Sequence, residues 1–200
     1  MTTRSGSRLD PVCIYCGSSD SIRPDYLDAA RAMGRALAGR GQTVVFGGGR
    51  TGMMGALADA ALGAGGRVVG VLPEQFDTEV LAHRHLSELR VVPSMHARKA
   101  LMAEMGAAFV ALPGGFGTFE ELFEILTWAQ SGMHQRPVGV LNALGYFDPL
   151  LELVDHARRE GFIYVEHRSL FVSEAEPGRL LDRLEEFVSP EGLGRWVDRR

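Results

Sequence analysis

Two cysteines in 200 residues are too few for a disulfide-stapled scaffold. Basic charge is not in excess either. The 21 Lys and Arg stand against 25 Asp and Glu, and the net charge of −4 provides no global positive field to hold a nucleic-acid backbone. Arginines near the two ends (Arg4, Arg8, Arg195, Arg199, Arg200) are too sparse to form basic arms. No apolar run approaches the roughly 20 residues of a bilayer-spanning helix, and Met1 to Asp10 carries no signal-peptide core. These absences point away from secreted, membrane and nucleic-acid-binding classes and leave a cytoplasmic protein as the expectation. Hydrophobic residues at 46% and charged residues at 23% are ordinary for a chain that buries a core. Glycine is abundant, at 25 residues, and clustered.

The cysteines form Cys13-Ile14-Tyr15-Cys16, a C-x-x-C pattern. A redox pair would sit at a helix start, and zinc would need about four ligands. Val12–Cys16 reads instead as a strand, on which residues three apart face opposite ways. Further strands are expected at Thr43–Phe46, Arg67–Leu72, Leu89–Val92, Ala107–Leu112, Val138–Leu141 and Leu170–Val172. Helical patterns fall at Asp25–Ala38, Met53–Leu62, Met95–Met105, Thr118–Gln130, Pro149–Arg159 and Arg179–Phe187. This alternation predicts an α/β fold: a doubly wound parallel sheet in a three-layer α/β/α arrangement. Residues 10–189 read as one domain, with 1–9 and 190–200 as tails.

In such sheets ligands bind beyond the carboxyl ends of the strands. Three glycine turns lie there: Gly17-Ser18-Ser19, Gly47 to Gly52, and Pro113 to Thr118. Gly47, Gly49 and Gly52 match G-x-G-x-x-G between a strand and a helix, a phosphate-binding pattern. The Walker pattern fails, because Met53 and Met54 stand where Lys and Ser/Thr belong. Glu74 lies near the spacing of a ribose-binding acid, but in a loop beyond a proline. Tight packing alone is the competing explanation for the turn. In Pro113-Gly114-Gly115-Phe116-Gly117-Thr118-Phe119-Glu120-Glu121 the glycines free backbone N–H groups at a helix start. Thr118-x-x-Glu121 is also a capping box, in which the acid would serve only the helix end.

On the helical wheel Phe119, Leu122, Phe123, Leu126 and Ala129 share the face expected to pack on the sheet. Ile125 and Trp128 fall on the other side, the pattern of a covered subunit interface. Arg98 lies within an apolar stripe of Met95, Met102 and Met105. A buried guanidinium needs a carboxylate or an anionic ligand; the alternative is a side chain that reaches past the methionines to water.

Gly47-Gly48-Gly49-x-x-Gly52-x-Met54-Gly55, Met95-His96-x-Arg98-Lys99 and Pro113-Gly114-Gly115-x-Gly117-Thr118-x-x-Glu121 together resemble the Lonely Guy (LOG) family. These are cytokinin riboside 5′-monophosphate phosphoribohydrolases, and the resemblance runs from about Val12 to Val188. It implies a Rossmann-like fold, a homodimer, and hydrolysis of the N-glycosidic bond of an N6-substituted AMP to free base and ribose 5-phosphate. It implies Arg98 and Glu121 as catalytic residues. It places Glu79, Lys99, Thr118 and Thr127 at substrate contacts. The residues themselves add Met95, Gly114, Gly115, Gly117 and Glu120 as substrate-binding candidates, with Gly17, Ser18, Gly47, Gly48 and Gly49 as candidate phosphate or ribose loops. No cofactor and no metal are implied; the six histidines show no ligand spacing. Family members have also been labelled lysine decarboxylases, but nothing in the sequence supports pyridoxal chemistry. A broader AMP or purine nucleotide hydrolase, a non-catalytic nucleotide or cofactor carrier, and a dinucleotide-dependent oxidoreductase remain open as alternatives.

Overall fold

The computed structural model describes residues 9–193. Seven strands form one parallel sheet: β1 (Val12–Tyr15), β2 (Val44–Phe46), β3 (Val68–Pro73), β4 (Glu88–Val92), β5 (Ala108–Ala111), β6 (Val138–Leu141) and β7 (Phe171–Glu174). Their spatial order is β4-β3-β2-β1-β5-β6-β7. The helices are α1 (Pro24–Gly39), α2 (Gly52–Gly63), α3 (Met95–Met105), α4 (Phe116–Gln130), α5 (Asp148–Arg159) and α6 (Pro177–Glu185).

The β1, β2, β3, β5 and β6 residues are fully buried, as strands covered on both faces must be. Edge strand β4 is half-exposed and carries Glu88 and Arg90, charges that discourage edge-to-edge pairing. Along β1 the side chains alternate. Val12, Ile14 and Cys16 join the core beneath α1, α2 and α6, while Cys13 and Tyr15 join the core beneath α3, α4 and α5. The two cysteines therefore face opposite layers. Burial pushes both thiols well above their ordinary range, which removes them as a redox pair.

After β1 the chain builds outward through β4, then crosses to β5 on the other side of β1. The loops leaving β1 and β5 diverge at this switch point and open a crevice between them. One expectation needs correction. Leu9 is no tail residue: it is buried in the core, and its carbonyl accepts from Gln42 Nε2 at 2.9 Å. The rest of the expected N-terminal tail, 1–8, and 194–200 of the C-terminal one lie outside the described residues.

Candidate active site

A cavity of about 500 Å³ opens at the switch point, within the range of small-molecule sites. The loop after β1 (Cys16 to Ser19), the loop after β5 with the start of α4 (Pro113 to Thr118), Met53 and Met54 of α2, Tyr26, Tyr146, Arg98 and Glu121 all line it. The two loops are joined directly: Gly17 N–H donates to the Pro113 carbonyl at 3.0 Å. Gly114 has no room for a side chain. A Cβ there would stand 2.1 Å from Thr118 Oγ1 and 2.8 Å from Gly17 N.

Helix α4 starts three residues earlier than its capping pattern suggests. Gly115 is the N-cap, and no side chain caps the helix. Thr118 is thus inside the first turn, buried against the cavity with Glu121 one turn further on. The capping-box reading of Thr118 and Glu121 is overturned. Phe119 N–H bonds to the Gly115 carbonyl at 3.0 Å, the first bond of the helix. Among the described residues, the amides of Gly115, Phe116, Gly117 and Thr118 meet no protein acceptor.

Arg98 rises into the same cavity from α3, whose start Ser94 caps by accepting from Ala97 N–H at 3.1 Å. The C-terminal end of α3 is held by Arg136, whose guanidinium donates to the Ala103 and Gly106 carbonyls and lies over the Phe109 ring. Each nitrogen of Arg98 is accounted for. Nε donates to the Val71 carbonyl at 3.2 Å, and Nη1 lies 3.3 Å from Glu121 Oε1 and 3.9 Å from Met95 Sδ. Nη2 occupies the space where a side chain at Gly47 would be, 1.8 Å from the Cβ position. The guanidinium is therefore paired, as its place in the methionine stripe demands.

Glu121 Oε1 is buried and receives no aligned hydrogen bond, so its contact with Arg98 is an ion pair only. Burial raises the Glu121 pKa to about 7, against the opposing pull of Arg98. At neutral pH this carboxyl stands between its two protonation states.

At the G-x-G-x-x-G turn, two N–H groups at the start of α2 are taken by the chain itself. Gly52 N–H, at the start of α2, donates to the Asp20 carboxylate at 2.8 Å, and Met54 N–H donates to the Gly17 carbonyl at 3.3 Å. Gly47 and Gly49, with Met54, Leu72, Phe76 and Leu81, line a smaller cavity of about 210 Å³ that shares Arg98 and Ser18 with the first. Glu74 is exposed at the head of a short turn (Glu74–Phe76).

Several expected contacts lie outside both cavities. Glu79 is exposed and pairs with Arg84 at 3.2 Å. Lys99 is buried and clasped by Glu120 and Glu124. Burial works against the Lys99 charge, but the hydrogen bonds it donates to the two carboxylates outweigh that and raise the ammonium pKa. Thr127 is exposed on α4 and donates to the Phe123 carbonyl at 2.6 Å. The inward face of α4 also differs from the wheel. Ile125 is buried in the core and Trp128 packs against it, whereas Phe123 is exposed. Ile125 is therefore no interface residue. Tyr146 and Tyr26 line the cavity without having been singled out in the sequence. The signal for Tyr146 is positional, since it follows β6 on a third loop at the strand ends.

The family described as possible lysine decarboxylase matches residues 54–184. A probable cytokinin riboside 5′-monophosphate phosphoribohydrolase of Oryza sativa subsp. japonica, LOGL9, is 48% identical over 182 residues, covering 91% of this chain and 80% of that one. The cytokinin riboside 5′-monophosphate phosphoribohydrolase LOG of the same plant is 42% identical, covering 96% and 80%. The probable enzyme LOG6 of Arabidopsis thaliana is 43% identical, covering 94% of each chain. Among solved structures, the molybdenum cofactor binding protein of Rippkaea orientalis superposes with a TM-score of 0.67 at 18% identity, covering 88% of this chain and 96% of that one. The Moco carrier protein of Chlamydomonas reinhardtii gives 0.66 at 21% identity, with the same coverage. At such identities these two show the fold alone. The sequence relatives go further: the chain belongs to the LOG family of proteins, within the family described as possible lysine decarboxylase.

Proposed function

We propose that this protein hydrolyses the N-glycosidic bond of cytokinin riboside 5′-monophosphates, releasing the free base and ribose 5-phosphate. One observation carries the reading: a buried Arg98–Glu121 pair lies in the same cavity as the unpartnered amides of the α4 N-terminus. Such a terminus favours a phosphate through its N–H groups and the helix dipole. Glu121 lies six residues, about 9 Å, along the axis from Gly115 and three residues, about 4.5 Å, from Thr118. This separation lets one ligand engage both.

In the reaction the bond between C1′ and the base nitrogen breaks, and its electron pair leaves with the base. Positive charge develops on the ribose, as in other glycoside cleavages. The Glu121 carboxylate stabilises that charge and takes a proton from the water that attacks C1′. The departing base anion takes up one proton from solvent and Glu121 returns its own to solvent, so that water's second hydrogen is accounted for in the free base. Arg98 holds the carboxylate in place, and the burial of the pair strengthens both effects. Gly17 and Ser18 flank the ribose and phosphate region from the β1 loop.

The cavity carries no motif that reads the base, so a broader AMP hydrolase is the alternative substrate reading. Lysine decarboxylation has no footing. A pyridoxal enzyme needs a lysine for its Schiff base, and Lys99, the sole lysine of the chain, is held by two carboxylates outside the cavity. A second copy pairing through the exposed Phe123 and Thr127 face of α4 accounts for the apolar surface there, which continues over Leu126, Ile163 and Leu170 in one shallow groove. No helix among the described residues is long and apolar enough to cross a membrane.

The test is product analysis on purified protein with N6-isopentenyl-AMP, AMP and GMP. Base release from the isopentenyl nucleotide, faster than from AMP, supports the proposal. Equal or faster release from AMP selects the broader hydrolase. No base release from any of them removes the enzyme reading and leaves a carrier.

A further inference from the structure

We infer that Tyr146 is a positioning residue for the anion-binding loop: its phenol locks the Gly114–Gly115 peptide so that the amides at the start of α4 stay turned toward a 5′-phosphate. The inference rests on the phosphate-reading site proposed above and adds a residue that the site's sequence motifs do not contain.

The peptide between Gly114 and Gly115 is flanked by two glycines, the residues least restrained in rotation about the backbone. Left free, it can flip and present a carbonyl oxygen where an anion should sit. Two successive carbonyls of this loop are tethered instead. Pro113 O accepts from Gly17 N–H at 3.0 Å, and Gly114 O accepts from the Tyr146 hydroxyl. In a planar trans peptide the C=O and the following N–H point in opposite directions. Fixing the Gly114 oxygen on Tyr146 therefore fixes the Gly115 N–H away from it. That amide is the first of the four that lack protein acceptors.

The ring of Tyr146 is itself held. It meets Tyr26 edge-on at 5.7 Å, Phe147 edge-on at 5.1 Å and Phe119 of α4 in a stacked arrangement at 6.5 Å. The turn that delivers it is tightly built. Asn142 bonds to Phe147 N–H at 2.7 Å through its side-chain oxygen, and to Asp148 at 2.7 Å through its amide nitrogen. Leu144 has φ of 56°, a left-handed conformation that costs a leucine free energy and persists only where the surroundings enforce it. Such strain two residues before a cavity-lining hydroxyl accords with a turn shaped for placement.

The experiment compares wild type with Tyr146→Phe, which keeps the ring and removes the hydroxyl, and Tyr146→Leu, which removes both. Inhibition by inorganic phosphate, steady-state kinetics on N6-isopentenyl-AMP, and calorimetric binding of phosphate and of the dephosphorylated riboside are measured, with thermal melting as the folding control. Loss of one hydrogen bond to the loop predicts that Tyr146→Phe weakens phosphate about 3- to 10-fold and raises KM similarly. Its kcat, riboside affinity and melting temperature stay near wild type. Tyr146→Leu should show the larger KM effect. Unchanged phosphate affinity and KM in both variants overturns the proposal, and so does a loss spread equally over phosphate, riboside and kcat, which would mark a general structural role. If wild type binds phosphate but releases no base, the hydrolase reading fails and the binding arm still decides on Tyr146. If wild type does not bind phosphate, both fail.

Discussion

Two helices of this protein begin after a glycine-rich turn at the end of a parallel strand, and they differ in how far the chain's own groups take up the amides of the N-terminus. At α2 the turn carries the better-known pattern, Gly47, Gly49 and Gly52, yet the chain spends the helix end on itself: Asp20 takes Gly52 N–H and the Gly17 carbonyl takes Met54 N–H. At α4 the amides of Gly115 to Thr118 meet no acceptor among the described residues, and a buried carboxyl stands one turn beyond Thr118. At the corresponding level, six residues past the N-cap, α2 holds the buried Leu57. A glycine pattern supplies backbone freedom; whether that freedom serves an anion depends on which other groups reach the amides first. Gly47 shows the alternative use, since it is glycine to admit the Arg98 guanidinium.

The comparison can be broken most severely from the α4 side. Glu121→Gln keeps shape and removes the charge; base release should fall by about 10²–10⁴-fold, read by single-turnover chromatography. Retained turnover would remove Glu121 from the chemistry. Gly114→Ala and Gly47→Ala come next. The first drives a Cβ into Thr118 and Gly17, the second into Arg98 Nη2. Displacements of this kind cost roughly 10²-fold in kcat/KM. They should differ in character: Gly114→Ala weakens inorganic phosphate as an inhibitor, and Gly47→Ala leaves phosphate binding near wild type.

Most of the frame was legible because its signals are local. The strands are short apolar runs, and their alternation with amphipathic helices has one economical packing. The errors gather where function intrudes on pattern. The wheel of α4 was centred on Phe119, Leu122 and Phe123, but its buried arc includes Thr118 and Glu121, polar residues turned inward toward the cavity. Counting only apolar residues rotates that arc away from Ile125. The start of α4 reads late in the sequence because Gly115, Phe116 and Gly117 have the composition of a loop, whereas Gly115 is the N-cap and Phe116 and Gly117 begin the helix. Arg98 was read correctly for a physical reason: a guanidinium inside a methionine stripe needs a partner, and Glu121 supplies it. The Lys99 clasp depends on two helices meeting, which no spacing within one helix reveals.

The buried acid of α4 also gives a pH signature that α2 lacks. The Glu121 pKa is raised to about 7 in the folded protein, chiefly by burial, from an ordinary value of 4.5. A raised carboxyl favours the protonated fold, so its stabilising contribution is full below about pH 4.5 and is lost as pH rises through about 7. The shift corresponds to about 3 kcal/mol. Denaturation of wild type and Glu121→Gln across pH 4 to 8.5 should show the variant gaining relative stability by an amount of that order. A constant difference would mean that the carboxyl is not held in a desolvated site. The smallest effect belongs to the self-satisfied terminus. Asp20→Ala removes the acceptor of Gly52 N–H and should cost about 1 kcal/mol in stability, the usual loss of a helix cap. KM for the nucleotide should change less than about 2-fold, within the scatter expected of a residue with no ligand contact.

The central claim, that the α4 terminus and not the α2 turn holds the phosphate, is tested most directly by a crystal structure of Glu121→Gln soaked with AMP. The account predicts phosphate density against the amides of Gly115 to Thr118, with the ribose between Arg98 and residue 121. Phosphate density on the Gly47–Gly52 turn, with the α4 amides left to water, would contradict it.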